Sequence, residues 1–146
     1  MPQILDPAVA RAALETTYRD ELAGGTIEIR EETPTGTLIA SIDLPSPAMG
    51  SATGTEETPG SRSISFLGLP YTATAVASSV NNSNNLVAVY RNSSGDLKFG
   101  PDLVTTSAAG TGQVLVSGTS GHAANSVKPV VATGNTLEVT AGAFTL

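Results

Sequence analysis

Leu86-Val87-Ala88-Val89-Tyr90-Arg91-Asn92-Ser93-Ser94-Gly95-Asp96-Leu97-Lys98-Phe99 carries the clearest local signal in the chain. An apolar run rich in Val and ending in Tyr suits a strand. Asn92-Ser93-Ser94-Gly95 then supplies what a tight reversal needs: an Asn side chain able to bond the backbone beyond it, and a Gly free to take positive φ. Asp96-Leu97-Lys98-Phe99 resumes the alternation of apolar and polar residues. The stretch predicts a β-hairpin with strands over residues 86–90 and 96–99.

Working outward, the same short-strand grammar continues. Toward the C-terminus, residues 113–117, 127–132, 137–140 and 143–146 are apolar runs separated by Gly- and Ser-rich connections, with no helical period among them. Toward the N-terminus, residues 63–67 and 71–79 read as strands divided by Gly68 and Pro70, and the polar turn Asn81-Asn82-Ser83-Asn84-Asn85 leads into the hairpin. Residues 50–62 hold Gly, Ser, Thr and Glu around Pro59-Gly60 and form a long loop. Leu38, Ala40, Ile42 and Leu44 share one face of a strand that Pro45 and Pro47 terminate. Thr26-Ile27-Glu28-Ile29-Arg30 alternates strictly, and a turn around Pro34 and Gly36 joins it to that strand as a second hairpin.

Only the first residues depart from this pattern. Asp6-Pro7 pairs a capping acceptor with a proline at the first helical position. Ala10, Leu14, Tyr18 and Leu22 then recur at every fourth residue, flanked by Arg11, Glu15 and Arg19 at charge-pairing spacing. Gly24-Gly25 stops the helix, predicted over residues 7–23. The expected fold is mainly β: an antiparallel β-sandwich or jelly-roll-like domain over residues 26–146, preceded by one amphipathic α-helix. Residues 1–25, the arm and helix, form a single compact unit with it.

Composition narrows the function. The chain has 146 residues, no Cys, no Trp, three Tyr, three Phe and one His, with a net charge of −6. An acidic chain lacks the basic footprint of a nucleic-acid or anionic-membrane binder. No run approaches the length of a membrane span. Met1-Pro2-Gln3-Ile4-Leu5-Asp6-Pro7 lacks the basic and apolar regions of a secretory signal, so synthesis in a cytoplasm is expected. Charge is also uneven: residues 1–60 hold ten acids and three bases, whereas residues 61–146 hold three acids and four bases. Sparse charge leaves β edges unguarded unless something covers them. The nearly neutral second part is therefore expected to form the interface of a homo-oligomer, with a trimer favoured over a dimer.

The candidates for chemistry are few. His122, in Ser120-Gly121-His122-Ala123, has no nucleophile elbow to serve and reads as a solvated loop residue. Glu31-Glu32 and Glu56-Glu57 are paired carboxylates, but both pairs sit in Thr/Pro/Gly turns where exposed acids are ordinary. Asp96 and Asp102 flank a strand without forming a calcium loop. Gly110-Thr111-Gly112 lacks the Lys-Ser/Thr of a phosphate loop. Phe66, Tyr71, Tyr90 and Phe99 lie on strands and are expected in the core, not beneath a sugar. Asn81-Asn82-Ser83 and Asn92-Ser93-Ser94 match the glycosylation sequon within Asn/Ser-rich turns. No catalytic, cofactor or metal residue is assigned.

Several segments together resemble a known class. Ala23-Gly24-Gly25-Thr26-Ile27-Glu28-Ile29-Arg30 after a short Ala-rich helix is similar to the opening of small virion proteins from structural gene clusters of tailed bacteriophages. Residues 35–40 and 44–50, the hairpin of residues 86–99, and residues 135–140 with 144–146 continue the likeness over about half the chain. The best-understood of these proteins are capsid decoration, or cement, proteins. The resemblance implies a non-enzymatic protein on the capsid exterior of a virion. It would bind the major capsid protein and clamp neighbouring subunits, with Pro2, Gln3, Ile4 and Leu5 as a docking arm. Other readings are a tail, head-fibre or baseplate subunit, or a carbohydrate-binding adhesive module.

Overall fold

In a computed structural model, residues 6–58, 60–78, 86–106, 114–117 and 131–146 are described, with backbone alone for residues 102, 103, 105, 106 and 114–117. The helix begins where the sequence predicts. The Asp6 carboxylate accepts the N–H groups of Ala8 at 2.9 Å and Val9 at 3.3 Å, ahead of Pro7. α1 runs as α-helix over Pro7–Leu14 and widens to a π-helix over Glu15–Asp20, where the sequence predicts unbroken α-helix. The widening has a reason in the apolar row. In an α-helix, residues four apart drift round the axis, while a π turn contains more residues and reverses that drift. Alternating the two keeps Ala10, Leu14, Tyr18 and Leu22 facing the sheet, and Ala10, Leu14 and Leu22 are fully buried.

The strands are β1 (Thr26–Glu31), β2 (Leu38–Asp43), β3 (Ser63–Ser65), β4 (Tyr71–Thr74), β5 (Leu86–Arg91), β6 (Leu97–Thr106), β7 (Val114–Ser117) and β8 (Thr136–Thr145). Both predicted hairpins form. β1 pairs antiparallel with β2, and β5 with β6 around the Asn92 turn. There the Asn92 carboxamide accepts the N–H of Ser94 at 3.1 Å and of Asp96 at 2.9 Å. β1 also pairs with β5, giving one antiparallel layer in the order β2-β1-β5-β6. β8 organises the second layer, pairing antiparallel with β7, β4 and β3. A short parallel contact, Val104–Thr106 against Val114–Val116, joins the layers and departs from the all-antiparallel expectation. Beyond β4, the Val76 N–H donates to the Ile39 carbonyl at 2.8 Å, drawing the far end of the ladder toward β2.

Several boundaries differ from the sequence reading, most of all in β8, β6 and β4. β8 is one strand where two were predicted, because Ala141 and Gly142 pair with Leu115 and Val114 and the ladder carries the strand across the glycine. β6 passes through Gly100-Pro101 in the same way, with irregular register opposite Ala88–Tyr90. β4 ends at Thr74 instead of Ser79. The predicted strand over residues 127–132 lies outside the described residues except Val131 and Ala132, which are not in a strand.

One core serves helix and sheets. Leu14 and Leu22 belong to the same apolar cluster as Ile27, Ile29, Ile39, Ile42, Leu86 and Leu137. All six aromatic residues of the chain are linked into one group, four within this core and Tyr18 and Phe99 packed against it. Phe144 contacts the rings of Tyr18, Tyr90, Phe66 and Phe99, while Phe66 also meets Tyr90 and Tyr71. Tyr18 comes from the helix and stacks on Phe144 of β8 at 4.2 Å with 9° between planes. The helix is thus fastened by a ring pair as well as by aliphatic burial.

Candidate functional site

β1 buries one face fully and the other in part. Ile27, Ile29 and Glu31 are buried, while Thr26, Glu28 and Arg30 lie on the opposite side. The pairing of β1 with β5 places Glu28 opposite Val89, with Arg91 at the adjacent end opposite Thr26. Arg30 Nε donates to Glu28 Oε2 at 2.7 Å and Arg91 Nε to Oε1 at 2.9 Å, so one carboxylate is shared between two guanidinium groups. Each arginine is held at a second point, Arg30 by the Gly36 carbonyl at 2.9 Å and Arg91 by the Gly95 carbonyl at 3.1 Å. Two turns therefore fix the two cations. Val87 and Val89, on the same face, are buried although they lie outside the main apolar cluster. Their position opposite Arg30 and Glu28 suits cover by arginine stems.

Burial by itself would raise the pKa of Glu28, but the bonds and charges of Arg30 and Arg91 outweigh it and hold the carboxyl below its ordinary 4.5. The sign for stability follows. A depressed folded pKa contributes stability at neutral pH that is lost as the pH falls from 4.5 through the lower folded value. In urea unfolding, Glu28→Gln should flatten the acid limb between these values and lower stability at neutral pH. An unchanged acid limb would contradict the paired geometry.

A second unusual group lies beneath the loop that precedes β3. Arg62 is 2 % exposed, and its Nη1 donates to the carbonyls of Thr58 at 2.8 Å and Glu56 at 3.1 Å. Among the described residues its Nε has no acceptor and no carboxylate pairs with it. Ser61 Oγ donates to the same two carbonyls, and Thr53 and Ser63 exchange backbone bonds across the loop base. Arg11 and Glu15 of the helix tie the loop from the other side, through the Gly54 carbonyl and the Ala52 N–H. The result is a braced loop with Glu56 and Glu57 exposed.

The predicted sites fare differently. Pro2, Gln3, Ile4 and Leu5 lie outside the described residues, as do His122, Gly110-Thr111-Gly112 and Asn81-Asn82-Ser83. Glu31 corrects the reading of its pair as turn acids: it closes β1 and is 5 % exposed, while Glu32 is exposed with φ of 63°. The ladder extends one residue past the alternating segment, and Glu31 falls on the inward side. Asp96 is exposed beside the hairpin turn, and Asp102 lies in β6 opposite Ala88. Phe66, Tyr71 and Tyr90 are buried and Phe99 packs against the core, so none offers a free ring face for a sugar. The buried Tyr71 hydroxyl donates to the Leu67 and Ala48 carbonyls, and burial pushes its pKa up. Among the described residues no group of three potential metal ligands occurs, and no helix is long and apolar enough to cross a membrane.

The shared carboxylate and the buried Arg62 escaped the sequence reading. Alternation placed Glu28 and Arg30 on one face, yet nothing local brings Arg91 to them, because β1 and β5 are more than fifty residues apart. The chain matches no protein-family model, no curated protein and no solved structure.

Proposed function

We propose that this chain is a non-enzymatic virion structural protein. It binds the outer surface of a phage capsid and stabilises contacts between major capsid protein subunits, as a decoration or cement protein. The observation that supports this best is the direction of its charges. Each described basic side chain is engaged within the chain: Arg11 and Arg62 on carbonyls, Arg19 on Glu15 and Asp20, Arg30 and Arg91 on Glu28, and Lys98 on Glu21. Asp43, Glu56, Glu57 and Asp96 are exposed and enter no ion pair among the described residues. Bases committed within the chain and exposed acids left unpaired suit a partner with a basic surface, which such a field would steer into contact. The helix capped at Asp6 is compatible with the reading of Pro2, Gln3, Ile4 and Leu5 as a docking arm.

In this reading the protein acts by packing, without cofactor, nucleic acid or membrane, and as a homo-oligomer with a trimer favoured over a dimer. The test mixes purified protein with undecorated capsids and sediments the shells. The expected result is co-sedimentation that weakens as salt rises. Deleting residues 2–5 should lower occupancy without changing the melting temperature. Protein left wholly in the supernatant removes the proposal, and density on tails in imaged particles would move the protein to a tail, head-fibre or baseplate role.

A further inference from the structure

We propose that Arg30 and Arg91 form a receiving site for carboxylates of a second copy of this chain, and that Glu56 and Glu57 supply them. The inference rests on the homo-oligomer reading above and names its contact. Two guanidinium groups share the single carboxylate of Glu28, so this group of three side chains keeps one positive charge on an otherwise acidic chain. Nε and Nη1 of each arginine are committed, to Glu28 and to a turn carbonyl. Among the described residues neither Nη2 has an acceptor. Arg30 and Arg91 are 19 % and 28 % exposed, so each is held in place yet reachable at an edge. A planar, pre-oriented donor edge with surplus positive charge fits a carboxylate, and fixing it beforehand lowers the entropy lost on binding.

The carboxylates come from the braced loop. Glu56 and Glu57 are adjacent, exposed and outside every described ion pair. Arg62, 2 % exposed with an unpartnered Nε, draws the Glu56 and Thr58 carbonyls inward. A buried cation without a carboxylate is a costly way to shape a loop, and here it supports the only adjacent pair of exposed acids that lies outside every ion pair among the described residues. Two free carboxylates and two free guanidinium edges on one chain do not meet within it. Between copies they complement each other. Because the two patches differ, the contact is made twice in a two-fold dimer or once per interface in a closed ring.

Sedimentation velocity on the full chain over a micromolar concentration series tests this. Wild-type protein should associate at low ionic strength, with a mass above 14.7 kDa that falls as salt is added. Glu56→Lys/Glu57→Lys should remain at the single-chain mass, and so should Arg30→Gln/Arg91→Gln. Mixing these two variants should yield a one-to-one complex, since one retains the arginines and the other the acids; a folding defect would not be repaired in this way. If the double arginine variant does not fold, Arg91→Gln replaces it and leaves the Arg30–Glu28 bond intact. Wild-type protein at single-chain mass throughout, a Glu56→Lys/Glu57→Lys protein that associates like wild type, or variants that fail to pair on mixing would each overturn the contact. Capsid co-sedimentation is read separately. Protein that decorates shells but never self-associates overturns this contact alone, and protein that self-associates but ignores shells overturns only the capsid reading.

Discussion

Phe144→Ala should cost about 3–5 kcal/mol, the range for deleting a buried aromatic side chain. That is a large share of the total stability of about 5–15 kcal/mol expected for a domain. Phe144 is 7 % exposed and meets four other rings, with centroids at 4.2 Å from Tyr18, 5.0 Å from Tyr90, 6.0 Å from Phe66 and 6.1 Å from Phe99. It is the one ring that touches the helix, both layers and the hairpin strand β6. Truncation leaves a void in the middle of a set of rigid side chains that cannot collapse independently. Phe144→Leu keeps most of the apolar volume and removes the ring pairs, so a smaller loss of about 1–2 kcal/mol is expected. Urea midpoints for the two variants measure this. A double-mutant cycle with Tyr18→Ala should show coupling of about 0.5–1.5 kcal/mol from the stacked pair. A Phe144→Ala midpoint close to that of Phe144→Leu would show that the ring cluster is not where the stability resides.

The cluster also marks how far the sequence could be read. Strand identity was legible wherever local chemistry dominates. Asp6-Pro7 started the helix, Asn92 to Gly95 turned the hairpin, and alternation over Thr26–Arg30 set the two faces of β1. Each of these depends on residues within a few positions of one another. Long-range pairing was not legible in the same way. Gly142 ends a strand by local propensity, yet β7 holds it in the ladder. Gly100-Pro101 breaks a strand by the same rule, yet β5 carries β6 past it. The π segment answers to the sheet beneath it, since its purpose is to keep Tyr18 and Leu22 in line with Leu14.

The charged groups follow the same division. Sparse charge in the second part of the chain was visible as composition, and it concealed what each charge does. Arg62 and Arg91 are two of the four bases after residue 60, and neither is a solvated surface group. One braces a loop, and the other crosses from β5 to a carboxylate on β1. Of the acids, Glu28 is held between cations, whereas Glu56 and Glu57 are exposed and enter no ion pair among the described residues. Counting acids against bases predicts a field; only the pairing of β1 with β5 reveals where it is locally reversed. That reversal is the feature from which the oligomer contact is argued.

Gly25→Ala should be severely damaging, while the same change at the neighbouring Gly24 should be mild. Gly24 has φ of +67°, and a Cβ there would meet nothing closer than Ser93 Cβ at 3.9 Å. Its substitution carries only the left-handed backbone penalty of about 1–2 kcal/mol. Gly25 has the opposite problem. A Cβ there would fall on the Arg91 carbonyl oxygen, with the Arg91 and Asn92 carbonyl carbons at 3.1 and 3.2 Å. These are backbone atoms at the end of β5 and the start of the hairpin turn, so no side-chain rotation relieves the overlap. The chain must separate β1 from β5 at the point where Thr26 pairs with Arg91. It must also disturb the bonds from the Leu44 N–H to the Gly25 carbonyl and from the Gly25 N–H to the Leu22 carbonyl, both 2.9 Å. Helix end, β1, β2 and the hairpin meet at this residue, and the loss should be about 3 kcal/mol or more, at the upper end of overpacking. Thermal and urea unfolding of the two alanine variants side by side provide the check. Equal losses would mean that the approach of Gly25 to Arg91 is looser than the structure describes, and the Glu28–Arg91 bond three residues further on would have to be reconsidered with it.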